Sequence, residues 1–228
     1  MSRVKIAPSI LAADQADLRG EILKVQEAGA DMIHVDVADG HFAPNISMGP
    51  DTVRSIRRVT KLPLDVHLMI SDPGKFAELF LAAGSDIVTV HVETVDRKQV
   101  EMLSRLIKGQ GRKFGIALKP STAIPDWFEE ELDKVDLLLL LSVNPGFPGQ
   151  AFMPEVLPKV EAAAKMGSSA GLEVEVDGGV DQQNAPEIVR AGTTVLVAGA
   201  SIFRRPDAGI ALRDIRTVAE GAHRKVAI

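Results

Sequence analysis

Cysteine is absent from the 228 residues. That excludes disulfides and thiolate metal sites and fits a reducing compartment, the cytoplasm. Long apolar runs are missing too. The longest leucine run, Leu137 to Leu141, falls far short of the roughly 20 residues needed to cross a bilayer. The opening MSRVKIAPSILAAD holds no apolar stretch of signal-peptide length. Nor is there a basic excess. A formal net charge of -5 and a pI near 5.6 argue against a general nucleic-acid binder, which presents a basic face. A small phosphate gripped locally stays compatible with that balance. No linker, low-complexity tract or long repeat divides the chain. Together these absences predict a soluble cytoplasmic protein, one domain over residues 1–228, with neither membrane nor nucleic acid as partner.

What is present is core material and a regular alternation. Hydrophobic residues make up 46% and charged residues 25%, ordinary for a globular chain. Short β-branched and apolar runs predict strands over 3–10, 32–37, 63–69, 86–92, 113–118, 136–143, 172–177 and 194–198. Amphipathic stretches between and after them predict helices over 15–28, 51–59, 74–83, 97–109, 126–131, 154–166, 182–191 and 207–220. The fifth helix is the thinnest, since Pro125 leaves room for little more than a turn. Near-continuous apolar strands alternating with helices imply a parallel sheet covered on its outer face. Eight such units read as an α/β fold of the (β/α)8 TIM-barrel type. Ala28-Gly29, Ala83-Gly84 and Ala191-Gly192 each end a helix, where glycine supplies the left-handed cap that reverses the chain.

In such a barrel, chemistry gathers at the C-terminal ends of the strands. Residues two apart on a strand share a face. If Val35 and Val37 face the helices, His34 and Asp36 point into the barrel. By the same parity His67 shares a face with Asp65 and Met69. Asp177 ends the seventh strand, and Ser9 lies on the first. Any one of these groups is explained as a hydrogen-bonded core residue. Four ionisable groups in one enclosed volume each need a partner, and one divalent cation supplies it. Two imidazoles and two carboxylates suit Zn, Fe(II), Mn or Co better than Mg or Ca. His91 and Glu93 also share a face and read either as support beside that site or as an internal hydrogen bond. Asn45 and His41 lie in a long 38–50 loop that is either a lid or solvated. Lys119, His223 and the run Glu129-Glu130-Glu131 read as solvated charges.

Glycines fill the loops after strands six to eight: Asn144-Pro145-Gly146-Phe147-Pro148-Gly149-Gln150, Gly178-Gly179, and Ala198-Gly199-Ala200-Ser201. Glycine lets backbone N–H groups approach an anion closely, and the loops after strands seven and eight are the usual phosphate site of these barrels. A small phosphorylated ligand is expected there.

The segments IAPSILAAD (6–14), HVDVADGHFAPN (34–45), LDVHLM (64–69), VNPGFPGQAF (143–152), EVDGGV (175–180) and VAGASIF (197–203) resemble the ribulose-phosphate 3-epimerase family over nearly the full chain. The resemblance implies one divalent metal ion per subunit held by His34, Asp36, His67 and Asp177, with Asp36 and Asp177 as acid–base pair. It further implies substrate contacts from Ser9, Met69, Gly146, Phe147, Pro148, Gly149, Gly178, Gly179, Gly199 and Ala200, and assembly into a homo-oligomer. The chain departs from the family pattern in four places. Ala38 and Leu141 stand where methionine is usual, Pro148 where glycine is usual, and Ala200 where serine is common. The expected reaction is interconversion of D-ribulose 5-phosphate and D-xylulose 5-phosphate by proton transfer at C3 through an enediolate. The competing expectations are an epimerase for a related ketose phosphate such as allulose 6-phosphate, a metal-free barrel performing decarboxylation or ring closure, and a catalytically silent sugar-phosphate binder.

Overall fold

Alternation along each strand decides which side chains meet the helices and which meet one another. In the computed structural model, which describes residues 3–168 and 170–226, eight parallel strands carry that alternation. They are β1 (Lys5–Pro8), β2 (Ile33–Ala38), β3 (Leu64–Met69), β4 (Ile87–His91), β5 (Lys113–Leu118), β6 (Leu137–Leu141), β7 (Glu173–Asp177) and β8 (Val195–Ala198). Each of β2 to β8 pairs with its sequence neighbour, and β8 returns to pair with β1. The ring closes between β1 and β2 through one parallel bridge, Ser9 to His34. Pro8 has no N–H to offer that seam.

The odd and even sets separate as two cores. Ile33, Val35, Val37, Val66, Leu68, Val88, Ile116, Leu138, Leu140, Val176 and Leu196 are buried against the helical layer. Ala7, Met32, Ile87, Ala117, Leu137, Leu139, Leu141, Val195 and Val197 fill the barrel interior. Register stacks the interior in layers. Asp36 pairs with His67 across β2 and β3, Leu141 with Asp177 across β6 and β7, and Asp177 with Val197 across β7 and β8. One layer below, His34 pairs with Asp65 and Leu139 with Glu175. At the opposite end of the barrel, Lys5 and Lys113 both pair with Glu173.

The helices are α1 (Leu18–Glu27), α2 (Pro50–Arg57), α3 (Pro73–Ala83), α4 (Arg97–Lys108), α5 (Leu157–Gly167), α6 (Ala185–Arg190), α7 (Ala200–Phe203) and α8 (Ala208–Val226). The first begins three residues later than its periodicity predicts, where a capping side chain sets the start, and the fourth begins at the predicted residue. Asp17 caps α1 by accepting from Gly20 N at 3.0 Å, and Asp96 with Gln99 forms a reciprocal box at α4. Gly84 ends α3 in the left-handed region, φ 109°, as the Ala-Gly pair predicts. Two predicted elements change. The fifth unit has a 3₁₀ stretch over Asp126–Lys134 in place of an α-helix, anchored by the buried Phe128. The first strand ends at Pro8, and Ile10–Ala12 turns as a 3₁₀ helix. The four-residue α7 was not predicted, being too short to show a period. The last helix runs on past residue 220 to Val226, and the side chain of His223 lies outside the described residues. No helix among the described residues is long and apolar enough to cross a membrane.

Glu131 corrects the expectation of a solvated acidic run. It is 2% exposed, because Arg97 Nε reaches Oε1 at 2.6 Å and Lys134 Nζ reaches Oε2 at 2.5 Å. Two cations neutralise it, which is what allows it to be buried.

Leu139 is wholly buried in the barrel interior, where strands on all sides restrict collapse. Leu139→Ala is expected to lower unfolding free energy by about 2–5 kcal/mol, read from urea denaturation. A change within experimental error would show that the interior layer is not close-packed.

Candidate active site

The mouth of the barrel is built by strand ends. β2 supplies His34 and Asp36, β3 supplies Asp65 and His67, β4 supplies His91, and β7 supplies Glu175 and Asp177. His34 and His67 are fully buried and Asp36 is 4% exposed. His34 Nε2 lies 3.3 Å from Asp36 Oδ1 and 3.9 Å from Asp177 Oδ2. His67 Nδ1 lies 3.0 Å and 3.8 Å from the same two oxygens. One donor atom from each of the four falls within 4.8 Å of all the others. A tetrahedral ion with bonds of roughly 2.1 Å sets its ligands about 3.4 Å apart. The spacing therefore fits a divalent cation. His34 Nε2 is buried without a hydrogen-bond partner, as a metal ligand's lone pair should be.

The imidazoles are held from behind. His34 Nδ1 meets Asp65 Oδ2 at 2.7 Å and Glu175 Oε1 at 3.3 Å. A proton on Nδ1 leaves Nε2 free to face the cluster. His67 Nε2 meets His91 Nε2 at 2.9 Å, and His91 Nδ1 meets Glu93 Oε2 at 2.9 Å. His91 and Glu93 thus brace a cluster member, which decides between the two readings of that pair. Glu93 is fixed in turn by Lys119 N at 2.8 Å and by Thr122 Oγ1 at 2.5 Å. Lys119 is no free loop charge: its Nζ lies 3.8 Å from the Phe42 ring centre, and Phe42 stacks on His91 at 4.5 Å. Glu175 escaped notice in the sequence. Its parity with Asp177 was the available signal, since EVEVD places both on one face.

The two carboxylates differ sharply in proton affinity. Burial would raise the Asp36 carboxyl, but the adjoining imidazoles of His34 and His67 outweigh it and hold the group far below the usual range. Burial pushes Asp177 up to about 6, and the Asp36 charge adds to the push. Burial opposes protonation of His34, yet Asp36 and Asp65 draw its affinity well above the ordinary value. Burial, reinforced by Asp65, raises Glu175 well above the carboxylate range, and burial drops His91 to about 4. Protein groups alone thus make the cluster attract positive charge.

Above the cluster opens a cavity of about 800 Å³. All ten residues expected to touch substrate line it: Ser9, Met69, Gly146, Phe147, Pro148, Gly149, Gly178, Gly179, Gly199 and Ala200. Asp36 and Asp177 form its floor, while His34 and His67 sit beneath the surface. Ser9 Oγ donates to Asp36 Oδ2 at 2.6 Å. Leu141 and Met69 line one wall, and Ala38 packs with Ala43, Met69 and Phe42. At the far end the N–H groups of Gly179, Gly199 and Ala200 have no acceptor among the described residues. Gly179 has φ 65°, and a Cβ there would collide with Phe152 N. Only glycine lets the backbone turn its N–H into the cavity at that point. The 38–50 loop is clasped over the mouth rather than solvated throughout: Asn45 Nδ2 donates to Gly146 O at 2.6 Å, while His41 is exposed.

An eight-stranded parallel barrel with a cation-binding quartet at its C-terminal mouth defines a TIM-barrel enzyme with a polar, metal-competent centre. Structural neighbours agree on the fold. 3-Hexulose-6-phosphate synthase from Salmonella typhimurium superposes with a TM-score of 0.72 at 18% identity, covering 96% of this chain and 100% of that one. Thiamine phosphate pyrophosphorylase from Pyrococcus furiosus gives 0.65 at 18%, over 96% of both chains. Sequence comparison is sharper. The Ribulose-phosphate 3 epimerase family profile matches residues 5–203. The ribulose-phosphate 3-epimerase of Bacillus subtilis is 46% identical over 93% of this chain and 98% of its own. Those of Synechocystis and Escherichia coli are 47% and 41% identical, over 93% and 91% of this chain and 93% and 92% of their own. The chain belongs to the ribulose-phosphate 3-epimerase family.

The raised Asp177 carboxyl carries a pH signature. A carboxyl whose folded pKa stands near 6 rather than about 3.9 unfolded contributes stability that is complete below about pH 4. That contribution is lost as pH rises through 6. In chelator, Asp177→Asn is therefore expected to gain melting temperature relative to wild type between pH 4 and pH 7. With saturating divalent metal the order should reverse. A temperature difference that stays constant across this window, with or without metal, contradicts the assignment.

Proposed function

We propose that this protein inverts C3 of a ketopentose phosphate, interconverting D-ribulose 5-phosphate and D-xylulose 5-phosphate. The observation that carries this reading is the pair of floor carboxylates, Asp36 and Asp177, of opposite proton affinity within a few ångströms of each other. A hydrogen on carbon beside a ketone leaves as a proton, and inversion needs its return on the other face. Two groups are required, one to take a proton and one to give one, and the unequal environments of Asp36 and Asp177 suit them to separate roles.

Asp36 takes the C3 proton in one direction while Asp177 delivers one to the opposite face, and the roles exchange on reversal. β2 and β7 are three steps apart around the ring, so the two groups reach a central substrate from different strands. Ser9 holds one oxygen of Asp36 through its hydroxyl. One divalent cation per subunit, of the Zn, Fe(II), Mn or Co kind, held by His34, Asp36, His67 and Asp177, supplies electrophilic stabilisation of the negative charge developing on the substrate oxygens. Backbone N–H groups of Gly178, Gly179, Gly199 and Ala200 bind the phosphate and fix C3 between the carboxylates. Leu141 and Met69 give the carbon chain an apolar wall, and the 146–149 loop covers it.

Asp177→Asn is expected to reduce kcat on D-ribulose 5-phosphate by about 10²- to 10⁴-fold, in a coupled assay with metal-loaded protein. Deuterium placed at C3 should wash into solvent during wild-type turnover. Complete retention of label in D-xylulose 5-phosphate, or a variant as fast as wild type, refutes proton exchange by two carboxylates. A panel including allulose 6-phosphate fixes the substrate. Faster inversion of the six-carbon sugar would assign it instead, and inertness toward every ketose phosphate would leave a binding protein.

A further inference from the structure

The phosphate end of the cavity, as placed above, is made of neutral donors, yet a phosphate ester near pH 7 carries a charge close to two. Two cationic side chains line the cavity, Arg204 and Arg205. Arg205 also borders a separate surface cleft with Glu21, Lys24 and Glu27, which divides its charge between two faces. Arg204 borders the cavity and not that cleft. A Cβ built on Gly149 would stand 2.5 Å from Arg204 Nη1, so one end of the guanidinium lies against the loop at Gly149.

Several arginines of the fold are held by carboxylates. Arg57, Arg97, Arg112 and Arg216 each hold a carboxylate within 2.7 Å. Among the described residues, Arg204 has no carboxylate within ion-pair distance and its side chain makes no hydrogen bond. Three acids also line this part of the cavity, and none lies within ion-pair distance of Arg204: Asp181 Oδ1 accepts from the N–H groups of Gln183 and Asn184, at 2.8 and 3.0 Å, Asp207 Oδ1 accepts from Ile210 N at 2.8 Å, and Asp214 stands on the last helix. An exposed, unpaired guanidinium borders the same cavity as three unbonded backbone N–H groups, and its planar fork of donors matches a phosphoryl group.

We propose that Arg204 is a specificity-determining residue that reads the charge of the substrate's phosphoryl group from the rim of the cavity, across the 146–150 loop. The proposal rests on the phosphate placement given under Proposed function. Arg204 lies away from Asp36 and Asp177, so it acts on binding and leaves proton transfer alone. It favours the dianion over the monoanion, and a phosphorylated ketose over a neutral one.

Arg204→Met keeps an unbranched side chain against Gly149 and removes the charge. Arg204→Lys restores the charge without the fork. With metal-loaded protein, Arg204→Met should raise KM for D-ribulose 5-phosphate by about tenfold or more, with kcat within roughly twofold of wild type. Lysine should recover part of that loss. Wild-type KM should fall as pH rises through about 6, where the second phosphate proton leaves, and the methionine variant should lose part of that dependence. Inorganic phosphate, titrated calorimetrically, should bind wild type more tightly than Arg204→Met by a similar factor. Equal phosphate affinity for the two proteins overturns the proposal, as does a KM unchanged by the methionine substitution. If wild type fails to turn over D-ribulose 5-phosphate, the epimerase reading falls, and the phosphate titration still decides the role of Arg204.

Discussion

Like charges cannot share a dry volume without compensation, and the top two layers of this barrel concentrate them. Asp36, Asp177, Asp65 and Glu175 converge on two imidazoles with little solvent between them. Everything around them answers that pressure. Asp36 borrows stability from both histidines, Asp177 and Glu175 hold protons more tightly than exposed acids do, and the spacing of the four ligand atoms fits a cation. The electrostatic arrangement that makes the centre costly to bury also suits it to hold a cation.

Strand parity made the centre readable before any coordinates. Counting by twos from Val35 and Val37 places His34, Asp36, His67 and Asp177 inside, and burial confirms the division down to Leu137, Leu139 and Leu141 on the sixth strand. Parity is local, and its limits are local too. Glu175 obeys the same count, but a strand reading Glu-Val-Glu-Val-Asp looks half solvated until its neighbours close the ring. Glu131 sits in a run of three acids that nothing nearby distinguishes. Its burial depends on Arg97, 34 positions earlier, brought close by the fold. His91 and Glu93 gained meaning only through the contact of one imidazole with another on the next strand. The first helix starts three residues after its apolar period begins, where the Asp17 cap rather than that period chose the first turn.

The two covering loops join the fold to its chemistry. Asp39 accepts from the N–H groups of His41, Phe42 and Ser71, which pins the root of the 38–50 loop to the end of the third strand. From there Asn45 reaches the Gly146 carbonyl, and Phe42 rests on His91. The same loop therefore touches both the roof of the cavity and the hydrogen-bond chain that steadies His67. Rearrangement at the roof is mechanically linked to the bracing below it, through aromatic contact rather than through the backbone.

The seam between the first and second strands has a consequence of its own. The sheet's two terminal strands meet through Ser9 and His34, and the hydroxyl of Ser9 holds Asp36. Circularisation of the sheet and completion of the reactive centre are therefore one event. An intermediate with seven interfaces zipped and this last one apart would hold nearly all the native hydrogen bonds and still lack a correctly oriented base.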